Sequence, residues 1–105
     1  MEKQKKTLHL VLKAVWYDMI ESGIKKEEYR AITPYWIKRL SHETCYGLEY
    51  NDFDTVTFHY KYTNRTMEFE LVDIEEKTGR PEWGATEGEK YFVLTLGNRI
   101  QTTNQ

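Results

Sequence analysis

The chain has one cysteine, two prolines and three histidines in 105 residues. The single thiol, Cys45, rules out an intrachain disulfide and suits a reducing cytoplasm. No stretch approaches the roughly 20 apolar residues that a membrane helix needs. The basic Met1–Lys6 segment is not followed by the apolar run of a secretory signal. Charge of one sign is also missing. Fifteen Lys/Arg stand against seventeen Asp/Glu, a net of -2, which argues against strong non-specific nucleic-acid binding, since that rests on neutralising phosphates. His42 and Cys45, at i,i+3, have no second pair to complete a metal site, so no metal and no cofactor is expected. Ser22, Thr33 and Ser41 lack a matched His/Asp arrangement, so no nucleophilic triad is expected. His9 and His59 read as ordinary strand residues. There is no internal repeat and no low-complexity segment.

What is abundant is aromatic: eight Tyr, three Trp and four Phe. A chain of this length is one domain with one small core. That core cannot hold all the rings, so some belong at the surface or along a groove. Charge is distributed unevenly. Residues 1–40 hold nine Lys/Arg and five Asp/Glu, a local +4, while residues 41–105 hold six and twelve, a local -6. The first third can therefore build a basic patch.

Met1–Lys6 is expected to fray. Thr7–Leu12 reads as a strand, with Leu8, Leu10 and Leu12 alternating with His9 and Val11. Apolar groups on both faces predict a central strand. Ala14–Ser22 reads as a helix whose buried stripe is Leu12, Val15, Trp16, Met19 and Ile20, with Tyr17, Asp18 and Glu21 turned away. Gly23 sits where a left-handed cap would end it. Lys26–Ile32 reads as a strand, Glu28 and Arg30 on one face and Tyr29 and Ala31 on the other. Thr33 and Pro34 start a second helix as N-cap and first residue. It buries Trp36, Ile37 and Leu40 and carries Lys38 and Arg39 in its last turn. Trp16 and Trp36 are assigned to the core.

Ser41–Asp52 reads as a loop with a short strand near Thr44–Tyr46. Asp54–Tyr62 and Thr66–Glu75 form a hairpin across Thr63-Asn64-Arg65, and a parity slip at Leu71–Asp73 predicts a bulge. Glu76–Lys90, with three glycines and a proline, reads as a loop that carries Trp83, either as a lid on the core or as a stacking platform. Tyr91–Leu96 is a closing strand, and Gly97–Gln105 is expected to fray. Two short helices cannot cover both faces of such a sheet. The pattern predicts an α+β domain spanning residues 1–105: a small, curved, mostly antiparallel barrel of about five to six strands with helices at its ends.

Gly23, Lys25, Glu28 and Arg30 spell G-x-K-x-x-E-x-R directly after the first helix. Motif and context together resemble the ASCH domain superfamily over roughly residues 7–97. The resemblance implies a PUA-like β-barrel and a cleft lined by Lys25, Glu28 and Arg30. It also implies binding of RNA or of a nucleotide. Some relatives hydrolyse RNA or remove an acyl group from a modified cytidine. The amide-cleaving branch carries Thr where this chain has Glu28, so the chain departs from that branch there.

Arg30 offers a planar fork for phosphate. Lys25 can bind phosphate or, if desolvated, act as a base. Glu28 can accept from an exocyclic amine or serve as a base towards water. Trp83 can stack on a base. Binding of RNA or a nucleotide by Lys25, Glu28, Arg30 and Trp83 is the first expectation. Hydrolysis of an amide or phosphodiester by Lys25 and Glu28 in the same cleft is the second. A third is a protein-contact surface formed by the tyrosines of Asp54–Tyr62. The blander alternative is that Glu28 and Arg30, two apart on one strand face, simply pair with each other.

Overall fold

A computed structural model describes residues 5–100. The expected fraying of the first residues and of 101–105 falls largely outside that range. The elements in order are β1 (Thr7–Leu12), α1 (Ala14–Glu21), β2 (Glu27–Ala31), α2 (Pro34–Leu40), β3 (Ser41–Thr44), β4 (Gly47–Tyr50), β5 (Thr55–Tyr60), β6 (Thr66–Thr78) and β7 (Lys90–Ile100). Five strands form one mixed sheet in the order β1-β5-β6-β7-β2, and β3 and β4 form a separate hairpin. The sheet curls into a half-barrel, which makes the domain α+β with two helices.

The curl has a local cause. The β6–β7 ladder slips between Phe69 and Leu71 and again between Leu71 and Asp73, where the apolar parity of the sequence changes. An unpaired residue bends its strand and raises its twist. Inside the bend, alternate residues of four strands meet Tyr17 and Ile20 of α1 and Leu40 of α2 in one core. Val56, Phe58 and Leu94 are fully buried in it.

Several expectations are corrected. β1 is an edge strand, paired only with β5 and parallel to it. Its leucines are buried, but Val11 is exposed, so an apolar outer residue did not signal a second neighbour. In α1 the buried residues are Tyr17 and Ile20 while Val15 is exposed. The tyrosine turns inward because its ring packs edge-on against Tyr60, centroids 5.1 Å apart. Segment 41–52 is largely the β3–β4 hairpin, and Cys45-Tyr46 is its turn rather than a strand. β6 runs on to Thr78 and β7 to Ile100, because each gives the other a backbone partner. Among the described residues no helix is long and apolar enough to cross a membrane.

Candidate functional site

The two edges of the half-barrel, β1 and β2, share no backbone ladder. Between them lies a seam, and Arg30 of β2 crosses it. Its NH2 group donates to the Val11 carbonyl of β1 at 3.2 Å. Edge strands leave backbone groups without a strand partner, and a side chain from the opposite edge satisfies one of them here.

The geometry behind Arg30 begins at the end of α1. Gly23 adopts φ +89°, the left-handed conformation glycine enters at little cost. Gly23 N–H then bonds the Ile20 carbonyl at 3.1 Å, and Ile24 N–H bonds that of Met19 at 3.0 Å. These are the two bonds of a Schellman motif. Lys25 N–H bonds the same Met19 carbonyl at 3.0 Å, which holds Lys25 close against the helix end. Its side chain is directed into the protein and the residue is 2 % exposed.

Lys25 Nζ donates to Glu28 Oε1 at 3.0 Å and to the Glu27 carbonyl. It also lies 4.8 Å from the centre of the Tyr29 ring and 5.9 Å from that of Trp16, within cation–π range. Glu28 Oε2 accepts from Arg30 NH2 at 2.8 Å. One carboxylate thus bridges two cations, and the trio carries one net positive charge. Burial lowers the Lys25 pKa below its ordinary value, and the Glu28 carboxylate opposes that shift.

The trio runs from inside to outside. The Lys25 side chain is 1 % exposed, that of Glu28 is 8 %, and that of Arg30 is 18 %. Of the three, Arg30 lines the cavity between the sheet edges. Its guanidinium stacks on Trp36 of α2, 5.0 Å from the ring centre, and its Nε is buried without a hydrogen-bond partner.

The cavity is a groove of about 780 Å³ along the seam, walled by β1, Lys13, Arg30, Tyr35, Trp36, Lys61 and Tyr62. A second hollow of about 610 Å³ shares His9, Tyr35 and Trp36 with it and adds Lys38 and Arg39. Neither wall contains an aspartate or a glutamate. The acidic residues collect elsewhere, as on β6, where Glu70, Asp73, Glu75 and Glu76 are exposed. Four cations of the first forty residues, Lys13, Arg30, Lys38 and Arg39, line these hollows together with Lys61.

Of the four residues singled out from the sequence, Lys25, Glu28 and Arg30 form one linked chain, and Trp83 stands apart. Trp83 ends a 3-10 turn, Pro81–Trp83, with Arg80 4.8 Å from its ring centre. It lines neither hollow. Its loop is pinned from two sides, by Arg80 N–H bonding the Tyr29 hydroxyl at 2.9 Å and by Gly84. That glycine has φ +105° and sits so close to Trp16 that a Cβ would lie 2.9 Å from the ring.

Trp36 was assigned to the core, yet one part packs there while its ring lines the groove. Tyr35, Lys13 and Lys61 also line the groove, as does Tyr62, one of the tyrosines expected to form a protein-contact surface. In the sequence the tyrosines belong to the aromatic surplus and Lys13 to the local +4, while Lys61 lies in the acidic remainder and carries neither signal. His42 Nδ1 contacts Asn51 Oδ1 at 2.6 Å, and Cys45 is exposed. Among the described residues, no group of three or more His, Cys, Asp or Glu is placed to hold a metal ion.

The chain matches no protein-family model and no curated protein sequence.

Proposed function

We propose that the domain binds RNA or a nucleotide in the seam groove, as an ASCH-like domain on a PUA-like barrel. The observation that carries this reading is the pairing of cations and exposed rings along one acid-free groove. Arg30 presents a guanidinium to the groove and is held from behind by Glu28. A fork fixed in this way suits phosphate oxygens. Tyr35 and Tyr62 stand exposed at the same groove, and such rings provide stacking surfaces for bases, each worth about 1–3 kcal/mol. The G-x-K-x-x-E-x-R motif supports the reading independently. The residues that would be read as ligand-binding are then Arg30 directly and Lys25 and Glu28 through it, with Trp83 outside the contact. The exposed single Cys45 suits a reducing, cytoplasmic setting.

Binding is preferred to hydrolysis because Lys25 and Glu28 are turned inward and spend their polar atoms on each other, on Arg30 and on the backbone. A general base must come within hydrogen-bond reach of the proton that it removes. Lys25, enclosed by Glu28, Tyr29 and Trp16, has no such access to the groove.

The test is a titration of the folded wild type and of Arg30→Ala with RNA oligomers and nucleoside monophosphates, followed by fluorescence anisotropy or tryptophan quenching. Binding by the wild type, weakened at least about tenfold by Arg30→Ala, is the expected result, as for loss of a charge-assisted contact. A folded wild type that binds none of the panel at low salt would overturn the reading.

A further inference from the structure

The groove and the neighbouring hollow meet at one wall, made by His9 and the edge-to-face pair of Tyr35 and Trp36, whose ring centres are 5.0 Å apart. Pockets of about 300–1,000 Å³ each suit one small ligand. Two of them sharing an aromatic wall exceed the need of a single nucleotide. The charges are also spread along both. Lys61, Lys13 and Arg30 line the first, and Lys38 and Arg39 line the second.

Helix α2 explains the second set. Tyr35, Lys38 and Arg39 are spaced i, i+3 and i+4, so they share one face of the helix. Arg39 lies 4.1 Å above the Tyr35 ring, which gives a flat ring backed by a cation. At the other end, Lys61 takes φ +51°, an uncommon conformation for a residue with a side chain. Its N–H is fixed to the Leu12 carbonyl at 2.9 Å. This turn carries Tyr62, 94 % exposed, to the mouth of the first hollow. The result is a track with rings at both ends, Arg30 between them and no carboxylate along it.

We infer that the ligand is a stretch of single-stranded nucleic acid at least two nucleotides long. It spans from Tyr62 past Arg30 to a second subsite formed by Tyr35, Lys38 and Arg39. This rests on the proposed function and specifies its substrate class. A single strand fits because the rings need unpaired base faces, which a duplex hides. RNA and single-stranded DNA share the features that the track contacts, a charged backbone and exposed base faces.

The experiment uses the full chain, a fluorescein-labelled eight-nucleotide single strand as reporter, and unlabelled competitors of one, two and four nucleotides, in RNA and DNA versions. A duplex of the same sequence is a further competitor. Affinity should rise at least about tenfold from one nucleotide to four, and the duplex should compete at least tenfold less well than the four-nucleotide strand. Raising salt from 50 to 200 mM should weaken the longer strand roughly 10- to 100-fold, as expected for three to five phosphate contacts on a single strand. In Lys38→Ala/Arg39→Ala, whose two side chains are solvent-facing, the ratio of four- to one-nucleotide affinity should collapse towards one.

A wild type that binds one nucleotide as tightly as four removes the second subsite and leaves the proposed function standing. So does an unchanged length ratio in the double variant. A duplex that competes equally removes the single-strand requirement. No binding of any competitor or of the reporter removes both the inference and the reading on which it rests. Stronger binding of the RNA series than of the DNA series, or the reverse, identifies which strand the track takes.

Discussion

Lys25 and Arg30 are both cations on one carboxylate, and they differ in almost everything else. Lys25 is enclosed: Glu28, the Glu27 carbonyl and the Tyr29 ring occupy its surroundings. Arg30 has Glu28 on one side, the Val11 carbonyl on another, Trp36 against its plane and the groove in front. The same charge type is enclosed at one end and faces the groove at the other. What separates them is not sequence spacing but the Schellman cap at Gly23, which directs Lys25 beneath α1, and the strand geometry of β2, which sends Arg30 across the seam. On the proposed reading, Lys25 would act on a ligand only by fixing Glu28, which in turn fixes Arg30. That reading makes it a positioning residue.

The most severe way to break this comparison is to remove the shared carboxylate. Glu28→Ala leaves a buried ammonium and a half-buried guanidinium without their counter-charge. Breaking a buried pair from one side costs about 3–5 kcal/mol, whereas replacing the whole pair by apolar groups of similar size is often close to neutral. Glu28→Ala should therefore lower the urea midpoint strongly at unchanged m-value. Lys25→Met/Glu28→Leu should recover most of that loss while still weakening ligand binding, because Arg30 has lost its support. A Glu28→Ala cost below about 1 kcal/mol would mean that the two ends are not energetically linked.

A second variant perturbs the inner end alone. Gly79 lies against Tyr29, and a Cβ there would fall 2.7 Å from two atoms of the ring and 2.9 Å from the Ala85 Cβ. Neither neighbour can yield easily, since Tyr29 covers Lys25 and Ala85 is buried. Gly79→Ala should destabilise the domain by about 1–3 kcal/mol, as overpacking does, measured by thermal or urea unfolding. Ligand affinity should fall less than it does in Arg30→Ala. A larger loss of affinity than of stability would show that the Tyr29 side of the chain reaches the groove more directly than its geometry indicates.

Much of this was legible in the chain itself. Gly23 marked the end of α1, Thr33 and Pro34 marked the start of α2, and the Thr33 hydroxyl does accept from Trp36 N–H, at 3.4 Å. The parity slip at Leu71–Asp73 marked the bulges that curl the sheet. The i,i+2 spacing placed Glu28 and Arg30 on one strand face, where they pair. The misreadings share a cause, which is that local pattern does not report neighbours distant in sequence. Val11 looked like half of a central strand because periodicity cannot count strands on either side. Tyr17 looked polar-facing because its partners, Tyr60 and Arg65, lie more than forty residues away. Lys25 looked like a phosphate ligand or a base, and the cap at Gly23 makes it the most enclosed of the three motif residues. The groove walls were invisible individually, since Lys61 meets the end of β1 through the β1–β5 pairing and Tyr35 joins them only when the sheet edges approach. The +4 of the first forty residues included Lys13 and Arg30 but not Lys61.

The smallest expected effect sharpens the comparison through pH. Burial raises the pKa of Tyr29 above its ordinary value of 10.0, and its bond to the Glu27 carboxylate at 2.8 Å raises it further. The folded state therefore keeps a proton that the unfolded chain gives up above pH 10. The stability tied to this group is whole below pH 10 and is lost as the pH climbs towards the raised folded value. Lys25 has the opposite sign. Its folded pKa lies below the ordinary 10.5, so its linked contribution grows with pH and is complete once the unfolded lysine has also lost its proton. Once the unfolded lysine has lost its proton, about a unit above its ordinary value, the slope reports the tyrosines, with Tyr17 and Tyr50 also raised. Tyr29→Phe removes its hydroxyl bonds to Glu27 and from Arg80 N–H, at a cost of about 1–2 kcal/mol near neutral pH. The variant should then lose less stability than the wild type across that alkaline window, so the two curves converge. Parallel curves would mean that the Tyr29 hydroxyl is solvated, and that the inner end of the charge chain is less enclosed than the outer end requires for its support.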